Sequence, residues 1–225
     1  MAGVASTESL DSLFAHKSHA FALVVSGPSG VGKTSVCKTV IERDERISPV
    51  VTTTTRSPRE GEVDGQDYHF ASGQQCDSLL SADEFLEHAI VHGNRYGTTR
   101  SAFRDALGES DIVLLEIDVQ GAESLRQVLG DRCVTLFILP PSLEELRSRL
   151  AGRNSEGAAS LKMRTDNALE EMACAPAYDY VIVNRELVQA ISDVESVIRT
   201  ERSRPVRQSK LLKSLNIQSV STTEE

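Results

Sequence analysis

The chain has 225 residues, 40% of them hydrophobic, enough for one large domain with a buried core. Its 24 basic and 33 acidic residues give a net charge of −9, which disfavours nonspecific binding to nucleic-acid polymers and leaves anionic ligands to local basic clusters. It has no 18-residue apolar run and no basic, apolar leader, so a cytoplasmic protein that does not use a membrane is expected.

Residues 1–19 read as a loose extension with a short helix around Leu10 to Ala15. From residue 20, apolar strand-like runs alternate with helical patterns: strand 21–26, helix 33–43, strand 112–117, helix 119–128, strand 133–139, helix 142–151, strand 180–183 and helix 186–200. Such alternation predicts an α/β fold with a parallel sheet and helices on both faces, built from residues 20–49 and 100–200. Residues 50–99 break the pattern with Thr-rich, Gly-rich and short extended segments, and are expected to form a small mixed β insertion. The polar, small-residued stretch 152–160 suits a mobile lid within the core. Residues 201–225 turn polar and are expected to be a flexible tail, or to dock one helical turn through Leu211, Leu212 and Leu215. The four cysteines and five histidines have no spacing that suggests zinc or a catalytic triad.

The most specific local signal is Gly27-Pro28-Ser29-Gly30-Val31-Gly32-Lys33-Thr34, which fills every fixed position of the phosphate-cradling G-x-x-x-x-G-K-[ST] loop between a strand and a helix. Ser29, Gly30, Val31, Gly32 and Ser35 are expected to surround the ATP phosphates. Glycines let backbone N–H groups converge on the oxygens, and the helix N-terminus adds positive potential. Lys33 is placed to reach the β and γ phosphates and Thr34 to ligate Mg²⁺.

Downstream, Thr52 to Tyr68 holds two arginines three apart around a proline, Arg56 and Arg59, then Gly61-Glu62-x-x-Gly65 and Asp67-Tyr68-x-Phe70. Together with Glu87, Gly93-Asn94-x-Tyr96-Gly97-Thr98, Glu116-x-Asp118-x-Gln120-Gly121, Pro140-Pro141-Ser142 and Tyr178 to Asn184, this closely resembles the guanylate kinase family over roughly residues 20–200. The resemblance implies a P-loop three-layer core with a GMP-binding insertion and a lid, and transfer of the ATP γ-phosphoryl group to GMP or dGMP. It places Arg56, Arg59, Tyr68 and Tyr96 on the GMP phosphate, and Thr52, Glu87, Thr98 and Asp118 at the base. Arg149, Arg153 and Arg164 match arginines that gather on the transferring group. Glu116 falls near the Mg²⁺ water shell and Asn184 near the ATP adenine, although a polar strand end accounts for Asn184 equally well.

The chemistry of the residues agrees with that assignment. Phosphoryl transfer between two anions needs positioning and charge neutralisation more than a base, which suits guanidinium forks. Guanine offers N1–H and N2–H₂ donors, for which Glu87 is a fitting acceptor. Two other readings remain open from sequence: a ribose bisphosphate kinase on the same scaffold, and a non-catalytic phosphopeptide-binding module. The lid departs most from the family pattern, with Asn154 where glycine is usual. A monomer or a homodimer is expected.

Overall fold

The computed structural model of the chain describes residues 13–14, 17–91, 93–151 and 158–217, and for residues 158–160 the backbone alone. Among the described residues the strands form two sheets. The larger is wholly parallel in the order β2-β7-β1-β8-β9, where β1 is Phe21–Ser26, β2 Ile47–Pro49, β7 Ile112–Glu116, β8 Cys133–Leu139 and β9 Tyr180–Val183. All six residues of β1 are buried, because a central strand flanked by parallel neighbours and covered on both faces meets no water on either side.

One face packs on α1 (Lys33–Arg43) and α7 (Leu187–Arg202), where Val36, Cys37 and Val40 meet Ala190, Ile191, Val194 and Ile198 over Leu23, Val25, Leu136 and Ile138. The other packs on α3 (Arg100–Glu109) and α4 (Val119–Leu129), with Phe103, Ala106, Leu107, Leu125 and Leu129 over Ala22, Val24, Val113 and Leu115. Two helical layers around one parallel sheet are the expected three-layer architecture.

The second sheet has the order β4-β3-β6-β5, with β3 Thr53–Thr54, β4 His69–Phe70, β5 Phe85–Val91 and β6 Asn94–Thr99, and mixes parallel and antiparallel pairs. It also carries a helix, α2 (Gly73–Ser81), closed at its start by a capping box between Ser72 and Gln75. Sequence periodicity shows neither α2, whose buried contribution is Cys76, nor the three-residue edge strand β2. Helices α5 (Leu143–Ala151) and α6 (Ala158–Met172) follow β8 and pack on each other through Leu146, Leu150 and Ala168.

Both termini differ from expectation where they are described. Leu13 and Phe14 are buried, and Phe14 packs edge-on against Phe103 with ring centroids 6.0 Å apart. Lys17 Nζ donates to the carbonyls of Leu107 (2.6 Å) and Ser110 (3.1 Å) at the end of α3, so the described residues 13, 14 and 17 are held against the core rather than loose. Most of the helical turn expected at Leu10 to Ala15 lies outside the described residues.

Beyond residue 200 the chain continues as the end of α7, a 3₁₀ turn at Pro205–Gln208, and α8 (Ser209–Ser214). Its anchor is Arg207, which is buried. Its Nη2 donates to buried Glu201 (2.9 Å), and its guanidinium lies 4.2 Å from the Phe21 ring centroid. Leu211 and Leu215 are exposed and Leu212 is half-buried, so of the three expected leucines at most one docks, and the buried ion pair is the main fastening of this segment.

Candidate functional site

β1 and β7 end on the same side of the sheet, where ligands bind in open α/β folds. There the loop after β1 and the smaller sheet face each other across a cleft of about 270 Å³. On the core side it is lined by Ser29, Gly30, Gly32, Lys33, Thr34 and Ser35, and on the insertion side by Thr52, Arg56, Arg59, Tyr68, Glu87 and Tyr96; Glu116 and Asp118 also line it. The phosphate loop and the predicted acceptor residues, far apart in sequence, thus share one cavity.

The loop leads into the N-terminus of α1. Gly32 sits at φ +96°, in the left-handed region, and a Cβ there would lie 2.7 Å from Asn184 Nδ2, so both backbone and space call for glycine. Lys33 Nζ donates to the carbonyls of Gly27 (2.5 Å) and Pro28 (3.2 Å). Thr34 Oγ1 donates to Glu116 Oε1 at 2.8 Å, which pairs two hard oxygen groups at the edge of the cleft. Those donors fit Mg²⁺, which prefers one or two protein oxygens together with phosphates and water. The Val31 side chain is fully buried in the core, which leaves only its backbone to face the loop.

Across the cleft, Arg56 Nη2 donates to Glu62 Oε1 (2.8 Å), and its guanidinium lies 5.3 Å from the Tyr68 ring centroid and 5.8 Å from that of Phe70. The Glu62 carboxylate raises the Arg56 pKa, and in return the Arg56 hydrogen bond lowers that of Glu62. Glu62 Oε2 also accepts from the Arg59 backbone N–H (2.7 Å), so one carboxylate sets both arginines. Tyr68 and Tyr96 meet edge-on at 6.0 Å, and burial, then the Glu116 carboxylate, raises the Tyr68 pKa. Sequence reasoning assigned no role to Glu62, although its place in the Gly61-Glu62-x-x-Gly65 motif marks it, nor to Glu171 of α6, which also lines the cleft.

Glu87 on β5 is 5% exposed. Thr98 Oγ1 donates to its Oε1 at 2.7 Å, and among the described residues no cation pairs with it. Burial, reinforced by the nearby Asp118 carboxylate and opposed by the Thr98 hydrogen bond, pushes its pKa up to about 7. Thr98 is fully buried and stands behind Glu87 rather than in the cleft. Asp118 caps α4, its Oδ1 accepting from the N–H groups of Gln120 (2.8 Å) and Gly121 (3.3 Å).

Besides Thr98, three expected residues stand outside the cleft. Asn184 is buried, and its Nδ2 donates to the Val31 carbonyl at 2.7 Å. Its amide therefore fastens the phosphate loop from below, at the end of β9. Arg149 on α5 bonds Glu145 (3.1 Å) and reaches the carbonyls of Val31 (3.4 Å) and Asn184 (3.5 Å), while Arg164 on α6 reaches the Leu150 carbonyl (3.4 Å). Neither lines the cleft. Arg153 and the lid segment up to residue 157 lie outside the described residues.

The family model described as guanylate kinase matches residues 19–201. The chain belongs to the guanylate kinase family. The guanylate kinase of Clostridium perfringens (strain SM101 / Type A) is 42% identical over 182 residues, covering 81% of this chain and 84% of its own. That of Novosphingobium aromaticivorans is 40% identical over 208 residues, covering 92% and 94%. The crystal structure of guanylate kinase from Anaplasma phagocytophilum superposes with a TM-score of 0.73 at 33% identity, over 89% of this chain and 97% of that one. The buried Arg207 lies beyond the segment that the family model matches.

Proposed function

We propose that the chain transfers the γ-phosphoryl group of ATP to GMP, and to dGMP, giving ADP and GDP or dGDP. The observation that carries this reading is the single cleft that joins Lys33 and Thr34 to a buried carboxylate, Glu87. A carboxylate removed from water without a cation costs stability, and the donors of a guanine edge are the kind of partner that would offset it.

Arg56 and Arg59, held by Glu62, and the Tyr68 and Tyr96 hydroxyls would orient the GMP phosphate with one of its oxygens toward the γ phosphorus. Lys33 and the amides of residues 29–35 would hold the ATP phosphates in line with it, and exclusion of water by closure would favour transfer over hydrolysis. The attacking oxygen is already anionic, so no residue need remove a proton from it. Mg²⁺, held through Thr34 and through Glu116 by way of water, would neutralise charge on the β and γ phosphates when bound. Arg149 and Arg164, which do not line the cleft, would have to turn toward it to reach the transferring group, the role that the family resemblance gives them together with Arg153.

A sugar-phosphate acceptor would leave Glu87 without donors, and a phosphopeptide-binding module has no use for the Lys33 and Thr34 side. With these substrates the reaction belongs to purine nucleotide metabolism. Calorimetric titration with GMP and AMP, each without ATP, tests the acceptor site: GMP is expected to bind and AMP to bind about 10⁴-fold more weakly, as in sites built to hydrogen-bond one base edge. Equal affinities would overturn the reading.

A further inference from the structure

We propose that Gly121, in the first turn of α4, is a positioning and specificity-determining residue whose missing side chain is the seat of the Glu87 carboxylate. The inference rests on the reading of Glu87 as the group that recognises the acceptor's base.

Gly121 is a helical glycine with no positive φ, so the backbone does not demand it, and glycine weakens a helix relative to alanine. Space demands it instead. A Cβ at Gly121 would lie 2.7 Å from Glu87 Oε2 and 3.3 Å from Glu87 Cδ and Ile117 Cδ1. The first distance is shorter than a carbon and a carboxylate oxygen tolerate, so the carboxylate would have to move.

Its freedom to do so is small. Oε1 is tied to Thr98, which is fully buried on the neighbouring strand β6, in register with Glu87. Behind Glu87, α4 is fixed by the Asp118 cap, whose carboxylate accepts from the N–H of Gly121 itself. Gly121 therefore touches both carboxylates of the base slot: Asp118 through its amide and Glu87 across its bare Cα. A methyl group there pushes the Glu87 carboxylate away from α4 and breaks its match to the two donors of guanine.

The test compares Gly121→Ala with the parent for KM and kcat toward GMP, for KM toward ATP, and for the ratio of kcat/KM for GMP over IMP, which lacks the 2-amino group. The expected result is a GMP KM raised by about tenfold or more with kcat within about threefold, an unchanged ATP KM, and a reduced GMP-over-IMP ratio. In a Glu87→Ala background the same substitution should add nothing to the GMP KM. Should Gly121→Ala melt well below the parent, removal of the Glu87 side chain should restore its melting temperature, and a double variant that melts as low as the single one overturns the proposal. A parent that uses GMP, with parent-like GMP KM and GMP-over-IMP ratio in Gly121→Ala, also overturns it and leaves the function standing. A parent that does not use GMP overturns the function and this proposal with it.

Discussion

Replacing Lys33 by methionine is expected to lower the rate of ADP formation by about 10³-fold or more while GMP binding stays within about threefold of the parent. The side chain keeps its stem but loses the charge that lies against Gly27 and Pro28 at the mouth of the phosphate loop. Transfer spreads negative charge over the γ-phosphoryl oxygens, and a cation already in place stabilises it without reorganising solvent. GMP binding should survive because Arg56, Arg59, Tyr68 and Tyr96 approach from the insertion side. A coupled assay of ADP formation and a GMP titration on the same preparation check both halves, and a variant that turns over within tenfold of the parent would contradict the assignment of Lys33.

The second large effect lies in pH. Glu87 is raised from the ordinary carboxylate value of 4.5 to about 7, mainly by burial, so with no donor against it the carboxyl is mostly protonated below neutrality. Guanine presents donors, which need the ionised form, and each pH unit below 7 adds a deprotonation cost of about 1.4 kcal/mol. The GMP KM is therefore expected to fall about tenfold from pH 6 to pH 8. The GMP phosphate itself titrates near pH 6, so Glu87→Gln is the control: it keeps that titration and should lose the remainder of the slope. A profile identical in the parent and in Glu87→Gln would sink the idea. Stability runs the opposite way. A carboxylate whose folded pKa is raised favours folding least when ionised, and the loss builds up between pH 4.5 and about 7. Glu87→Gln should thus melt higher than the parent at pH 8 and no higher at pH 4.

The core was legible because its strands are continuous apolar runs with breakers at each end: strands 21–26, 133–139 and 180–183 stand where patterning puts them. β2 was not, since three residues give no period, and α2 was missed because it is largely solvated, although Ser72-x-x-Gln75 is a readable start signal. Arg207 hid the docking of the C-terminal segment, since polar composition reads as solvent-exposed and gives no sign of a buried ion pair with Glu201 over Phe21. In the site, motif residues marked the phosphate loop and the arginine pair, but two relations needed coordinates. Asn184 turns down onto Val31, and Gly121 stands against a carboxylate 34 positions earlier in the chain.

The most direct measurement is ADP formation from ATP·Mg²⁺ with GMP, dGMP, AMP, CMP and UMP offered one at a time to the full chain. Turnover with GMP and dGMP, and with the other three lower by several orders of magnitude, is the result expected of a cleft that sets Glu87 opposite the phosphate loop. Turnover with none of the five nucleotides, or AMP accepted as readily as GMP, would contradict it.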